Sequence, residues 1–426
     1  MISYLKHAVP KKVEDTKKVQ ETVREILQRV KEEGEEGVRY YSRKFDDWDP
    51  KSFRVTENER KEAINKIPQS QIEDINFCQD QIRRFASEQM DHLNELNFEV
   101  ETLAGVHLGS KVLTIESSGA YIPGGLYPLL ASSHMTIIPP KVAGVKRVVA
   151  FSPPVKGQGI WPGTLYAMIA AGADEIYCIG GVQALAAAAY GMAELEPVDI
   201  IVGAGNKYIA EAKKQLYGTV GIDLIAGPSE VLIIADHTAD PFIIAADILA
   251  QAEHDPNTRQ ALVSLSRKIA EDTLIEIDKQ LVTLPTKDVA SKGWQNGGEV
   301  SIVESPEEAV AFSNRWAPEH LQIQTETYDY YLEHCNNYGS LFLGEETTVA
   351  YGDKTIGTNH VLPTMRAARY TGGLSVMVFA KLVTYQYMTK NASIKIGKVC
   401  ERACKYENML GHGISCRVRV DKYSNQ

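Results

Sequence analysis

The sequence predicts an α/β protein with two Rossmann-like parallel-sheet domains, a helical N-terminal arm and a small C-terminal tail domain. Three observations carry that expectation. Between residues 147 and 217, apolar β-rich runs alternate with helical segments, and strand–helix–strand–helix at this spacing calls for right-handed crossovers and a parallel sheet. A second alternation starts at "DLIAGPSEVLIIAD" (223–236) and continues through "QALVSLS" and "SLFLG". Finally, 426 residues exceed what one hydrophobic core supports, so at least two domains are expected.

Taken in order, residues 14–45 read as an amphipathic, heavily charged helix with Val19, Val23, Ile26, Leu27 and Val30 on one stripe. Residues 57–96 form a second helical region whose charges read as a solvated face. "GVHLGSKVLTIESSGAYIPGG" alternates like strands and ends in turn residues. The strand "RVVAFS" (147–152) is followed by the Ala-rich helix "GTLYAMIAAGA", then the strand "EIYCIG", the turn Gly180-Gly181 and the helix "VQALAAAAYGMA". The strand "DIIVGAG" and the helix "NKYIAEAKKQLYG" complete the series. In such sheets ligands sit at the carboxyl ends of strands, where Gly180, Gly181, Gly203 and Gly205 fall. No GxGxxG is present, so a phosphate grip other than the usual dinucleotide fingerprint is expected. Beyond Gly373 the chain reads as helical, and "SCRVRV" near its end reads as a strand.

Composition narrows the function. Charged residues at 23% and apolar residues at 44% fit an ordinary soluble globular protein. With 45 basic against 55 acidic side chains the net charge is -10, which lacks the basic footprint of a nucleic-acid binder. An anionic ligand would need a few local cations working against that field. The charged N-terminus has no signal-peptide core, and no apolar run is long enough to span a bilayer. The six Cys form no CxxC pair, and Cys400 and Cys404, one helical turn apart, read as packing residues. A reduced, cytoplasmic protein is expected.

The chemistry collects in four segments. In "LAQAEHDPNT" (249–258), Asp240-Pro241 starts a helix and Asp255-Pro256 stops it, so Gln251 and His254 share one face near its end. "RWAPEHLQI" sets Glu319 beside His320 directly after a proline. "GDKTIGTNHVLPT" carries Asp353 and His360 in a Gly-, Thr- and Asn-rich loop, and "YENMLGHGIS" carries Glu407 and His412. A site made from Gln251, His254, Asp353 and His412 would offer two nitrogen and two oxygen donors, a set suited to zinc or a similar divalent ion. Glu319, His320, His360 and Glu407 would then remain for proton transfer and substrate binding.

Together and in order, "GAYIPGG", "AGPSEVLIIAD", "AQAEHD", "APEHL", "GDKTIGTNHVLPT" and the terminal Glu407–His412 pair resemble the histidinol dehydrogenase family across essentially the whole chain. The resemblance implies a zinc- and NAD-dependent homodimer that oxidises a primary alcohol through an aldehyde to a carboxylate with two NAD. It implies zinc ligands Gln251, His254, Asp353 and His412, with His412 reaching the partner's site. It assigns His320 as general base and Glu319 as the group activating water. Ser229, His360 and Glu407 would touch substrate, and Tyr121, Gln183 and Asn206 would touch NAD. The implied division is an arm at 1–20, a split first domain at 21–118 and 229–374, an NAD-binding domain at 119–228 and a dimerising tail at 375–426.

Several positions depart from the family pattern. "LYPLLASSHMT" introduces Tyr127, Ser133 and His134, "GAGN" (203–206) replaces the usual GPGN, Lys354 stands after Asp353 where Tyr is usual, and Arg366 stands where Gly is usual. These features resemble the branch acting on 2,3-dihydroxypropane-1-sulfonate, in which a sulfonate would need local donors; His134, Lys354, Arg366 and Arg369 are the candidates. The competing expectations are L-histidinol oxidation, a zinc hydrolase in which Glu319 activates a metal-bound water, and a non-catalytic metal binder. Manganese in place of zinc also stays open.

Overall fold

The computed structural model describes residues 2–9, 16–124, 128–155 and 157–425, and Tyr127 lies outside them. The chain divides into two compact units: Met1–Ser87 with Glu116–Phe379, and Glu88–Ile115 with Ala380–Gln426. None of the described helices is long and apolar enough to cross a membrane.

The first unit holds two parallel sheets. In the five-stranded sheet the order is Glu175–Cys178, Arg147–Ser152, Ser117–Tyr121, Ile200–Val202 and Gly221–Ile222, every pair parallel. The chain leaves Ser117–Tyr121 in one direction and returns on its other side with Ile200–Val202. This is a topological switch point, which opens a crevice at the carboxyl ends of those two strands. The outer edge is covered by residues 53–55, which bond to Glu175–Cys178 through Val55 N–H to the Ile176 carbonyl (2.8 Å) and Cys178 N–H to the Phe53 carbonyl (2.8 Å). The helical stripe expected at the N-terminus packs here: Val23, Ile26, Leu27 and Val30 are buried in one core with Leu185 and Leu216. Each such side chain contributes roughly 1.5–3 kcal/mol. The single helix expected over 14–45 is two, Thr16–Glu33 and Glu35–Asp46, because Gly34 adopts φ 61 between them.

The six-stranded sheet runs Ser3–Lys6, Gly298–Ile302, Arg259–Ser264, Glu230–Ala235, His320–Gln324 and Ser340–Leu343, parallel except for the first pair. The N-terminal segment thus begins as an edge strand, where a helical arm was expected. Between Glu230–Ala235 and Arg259–Ser264 runs the helix Pro241–Ala252, started by Asp240, whose side chain accepts from Phe242 N–H at 2.8 Å, with Pro241 at the first helical position. A crossover helix runs opposite to its strands, so this one delivers Gln251 and His254 to the amino ends of the strands.

The second unit pairs Ala380–Met388 with Val106–Thr114 and the latter with Phe98–Leu103, all antiparallel, and adds the helices Lys390–Tyr406 and Leu410–Ser424. Two sequence expectations fail here. The region beyond Gly373, expected to be helical, includes the strand Ala380–Met388. Its alternating β-branched and aromatic side chains find a partner more than 260 residues upstream, beyond the reach of a local reading. "SCRVRV", expected as a strand, lies inside the helix Leu410–Ser424: among the described residues no strand pairs with it, and it packs on Lys390–Tyr406, whose Gly397 approaches Val420.

One buried ion pair fixes the loop at the switch point. The Lys213 ammonium pairs with the Asp223 carboxylate, both side chains nearly inaccessible. Lys213 Nζ also donates to the Gly203 carbonyl (2.9 Å), and Gly203 N–H donates to Asp223 Oδ2 (2.8 Å). Removing one partner strands a buried charge, so Asp223→Ala should cost about 3–5 kcal/mol. The check is the urea midpoint, which should fall well below wild type; an unchanged midpoint would mean the pair does not hold the unit together.

Candidate active site

A proton-handling pair lies at the amino edge of the six-stranded sheet. The helix Pro306–Trp316 ends at Ala317 in the left-handed region (φ 52), and Pro318 then turns the chain into the strand His320–Gln324. One peptide segment clamps both side chains. Glu230 N–H donates to Glu319 Oε2 (2.8 Å), and the Glu230 carbonyl accepts from His320 Nδ1–H (2.9 Å). That bond keeps a proton on Nδ1, so the proton His320 gains or loses is the one on Nε2. Nε2 is buried, has no hydrogen-bond partner, and stands 3.6 Å from Asp353 Oδ1. Burial pushes the Glu319 carboxyl up to about 8. Burial works to lower the His320 imidazole, but Glu319 and Asp353 outweigh it and hold it up at about 9. Burial likewise opposes ionisation of Asp353, yet His320, His360 and Lys354 draw its carboxyl down to about 2. Three buried groups thus share their charge.

Around them stand the other residues of this site. Gln251 is buried, and among the described residues its Nε2 has no hydrogen-bond partner. His254, one turn on, is lowered by burial, with Asp353 pulling the other way. His360 Nδ1 donates to the Asp353 carbonyl (3.0 Å), across a loop that Gly357 turns at φ 111. Ser229, half-buried, directly precedes Glu230. Gln251, His254 and Asp353 therefore supply an amide, an imidazole and a carboxylate, a donor set that fits zinc with three protein ligands. His412 and Glu407 are exposed residues of the second unit, on Leu410–Ser424 and at the C-terminal end of Lys390–Tyr406.

The anion candidates fall into different places. Lys354 is exposed, and its charge acts on His254, His360, His134 and Asp353, so it faces this cluster. His134 is buried in Leu130–Ala143, where Gln79 Nε2 donates to its Nδ1 (3.0 Å), and burial pushes it down to about 4. It is neutral at pH 7 and has only an Nε2–H to give. Arg366 lines a groove with Tyr4, Arg259, Glu299, Arg315 and Trp316, and Arg369 Nε donates to the Arg366 carbonyl (3.0 Å).

The switch-point crevice gathers the second set. Gly203, at φ 117, approaches so closely that a Cβ there would stand 2.3 Å from the Tyr121 carbonyl oxygen. A Cβ on Gly180 would meet Pro153 Cβ at 2.4 Å. Gly181 N–H donates to the Tyr121 hydroxyl (3.3 Å). Asn206 caps Lys207–Leu216 by accepting from Tyr208 and Ile209 N–H, which satisfies two of that helix's free amides. Gln183 is buried, its Nε2 donates to Asp46 Oδ2 (3.2 Å), and its Oε1 has no partner. An orphaned acceptor and a floor without side chains fit a dinucleotide in this crevice. Glu230, Asp46 and the Lys213–Asp223 pair were not singled out from sequence. The signal for Glu230 was an acid heading the apolar strand "EVLIIA".

The histidinol dehydrogenase family model matches residues 9–420. The chain belongs to the histidinol dehydrogenase family. It is 51% identical to a histidinol dehydrogenase homolog of Shouchella clausii (strain KSM-K16), covering 95% of each chain. It is 43% identical to the sulfopropanediol 3-dehydrogenase of Ruegeria pomeroyi (strain ATCC 700808 / DSM 15171 / DSS-3), covering 99% of this chain and 97% of that one. The crystal structure of histidinol dehydrogenase from Elizabethkingia anophelis superposes with a TM-score of 0.91 at 35% identity, over 98% of this chain and 95% of that one. The family consists of NAD-dependent dehydrogenases, and the mixed α/β fold with parallel sheets is the family's own.

Asp46 generates a pH prediction. Burial pushes its carboxyl up to about 6, above its ordinary 3.8, so the ionised form opposes folding above that pH. The penalty is relieved as pH falls through about 6. Asp46→Asn should therefore be more stable than wild type at pH 8, with the advantage shrinking at pH 5. Thermal unfolding of both proteins at the two pH values is the check.

Proposed function

We propose that this protein is a cytoplasmic, zinc-dependent homodimer that oxidises a small polar primary alcohol to a carboxylate in two NAD-linked steps. The observation that carries the reading is the Glu319–His320 pair locked on the Glu230 backbone beside Asp353. Gln251, His254 and Asp353 would hold zinc, completed by His412 of the partner subunit, with Glu407 reaching substrate from the same tail. Tyr121, Gln183 and Asn206 would hold NAD. When bound, zinc anchors the substrate's polar groups and NAD accepts a hydride in each step.

The chain's residues do the proton work. His320 Nε2 takes the alcohol proton as hydride leaves the carbinol carbon; its Nδ1–H, tied to Glu230, keeps the ring in the tautomer that can accept. Were a cation to share Asp353, that carboxylate would hold the His320 proton less strongly, and His320 would serve as a base nearer neutral pH. Glu319 deprotonates water for attack on the aldehyde carbon, and the hydrate presents a second carbinol to His320. Ser229 and His360 orient the substrate. Per alcohol, two NAD are reduced, one water is consumed and the carboxylate is released.

For the substrate we favour (R)-2,3-dihydroxypropane-1-sulfonate, oxidised to sulfolactate, with L-histidinol as the second reading. The exposed Lys354 ammonium facing the cluster supports an anionic substrate, since an acidic protein needs such a cation. The similarity to a relative named sulfopropanediol 3-dehydrogenase agrees with it.

NADH formation by the zinc-loaded enzyme should occur with the sulfonate diol, at two NADH per molecule, and be absent or far slower with L-histidinol. The reverse preference would move the assignment to histidinol. His320→Asn should lower kcat by roughly 10²–10⁴-fold. Glu319→Gln should lower the NADH yield from two per alcohol towards one, as aldehyde accumulates. A chelator should abolish turnover and zinc restore it; activity that survives complete metal removal would refute the metal role.

A further inference from the structure

In the second unit three thiols converge. Cys400 and Cys404 lie one turn apart on Lys390–Tyr406, and Cys416 lies on Leu410–Ser424, which folds back after Asn408 takes a left-handed turn (φ 57). Their Sγ atoms all lie within 4.8 Å of one another, the one such grouping of three His, Cys, Asp or Glu side chains among the described residues. Glycines bring the helices together. A Cβ on Gly397 would stand 2.7 Å from Val420 Cγ2 and 3.4 Å from the Cys416 carbonyl, and one on Gly413 would stand 3.5 Å from Cys404 Cβ.

Packing alone accounts poorly for this arrangement. A free cysteine that serves as a small apolar residue is normally buried, but only Cys404 is; Cys400 and Cys416 are at least partly exposed. A disulfide also fits poorly between Cys400 and Cys404. Helix positions four apart hold their Cβ atoms about 5–6 Å apart, whereas a disulfide needs about 3.5–4.5 Å. Bridging Cys416 to either one would leave the third thiol unused.

A cation uses all three. We propose that Cys400, Cys404 and Cys416 form a trithiolate site for a thiophilic d10 cation of the zinc type, additional to the ion proposed at Gln251, His254 and Asp353. Zinc–sulfur bonds of about 2.3 Å place tetrahedral sulfurs roughly 3.8 Å apart, within reach of small side-chain rotations. On binding, three S–H bonds are replaced by three sulfur–metal bonds, three protons pass to solvent, and nothing is oxidised. Three thiolate charges this close repel one another, so they coexist there only around a positive ion. Thiolate donors select soft metals, whereas the Gln251 set holds no sulfur, so the two sites answer to different probes.

The test uses the full-length protein reduced with a phosphine and titrated with cadmium ions. One equivalent should produce a sulfur-to-metal charge-transfer absorption and protect three thiols from alkylation, at Cys400, Cys404 and Cys416 by peptide mapping. Cys416→Ser and Cys404→Ser should each lose most of the band, and zinc-loaded wild type should carry one more zinc per chain than either variant. Dehydrogenase activity is not the readout, so failure of the proposed substrate leaves the result interpretable. No band in folded wild type overturns the proposal without recourse to variants. So does equal alkylation with and without cadmium, or a Cys416 disulfide in the isolated protein that leaves no metal-dependent band after reduction.

Discussion

The candidate active site depends on one peptide segment. Glu230 gives its N–H to Glu319 and its carbonyl to His320, and it can do both because Glu230–Ala235 and His320–Gln324 pair in parallel with His320 opposite Val231. A one-residue slip of that register would turn His320 to the other face of the sheet and separate it from Asp353. The interior of the strand pair is apolar and tightly packed, with Leu232, Ile234, Leu321 and Ile323 in one core, so the slip is opposed by the whole sheet. Precision at the acid–base pair is thus inherited from hydrophobic packing several residues away.

The two parallel sheets present opposite ends to chemistry. The five-stranded sheet offers the carboxyl ends of its strands, where Tyr121, Gly181, Gln183 and Gly203 surround the switch point. The six-stranded sheet offers its amino ends, where Ser229, Glu319 and His320 stand, and where the helix Pro241–Ala252 returns Gln251 and His254. The clustered acids and imidazoles therefore arise largely from one sheet, and a glycine-lined floor arises from the other. Electrostatics follow the same division. Glu319, His320 and Asp353 are buried and trade charge among themselves, whereas Lys354 stands exposed at the edge of the cluster.

Much of this was legible in the sequence because it is written locally. The periodicity of Val23, Ile26, Leu27 and Val30 marked the helix that buries them, and Asp240-Pro241 marked the helix start that delivers Gln251 and His254. Residue types set the inventory, since an acid and an imidazole adjacent after a proline, Glu319 and His320, stand out as a candidate proton-transfer pair in the sequence itself. The failures were equally physical. Ala380–Met388 becomes a strand through a partner far upstream, and "SCRVRV" becomes helix because its neighbour is a helix. His134 reads as a donor for an anion, yet burial against Gln79 leaves it uncharged.

By itself, then, the sequence determined the alternation of elements, the apolar faces that drive their packing, and the inventory of acids, imidazoles and amides available for chemistry. Those properties are set by side chains within a turn or a strand of one another. Only the tertiary structure decided which of them meet: the Glu230 clamp, the 3.6 Å approach of His320 to Asp353, and the gathering of Cys416 with Cys400 and Cys404. Such meetings depend on strand register and helix crossing between distant segments, whose energies are summed over whole sheets and seams and leave no mark at any single position.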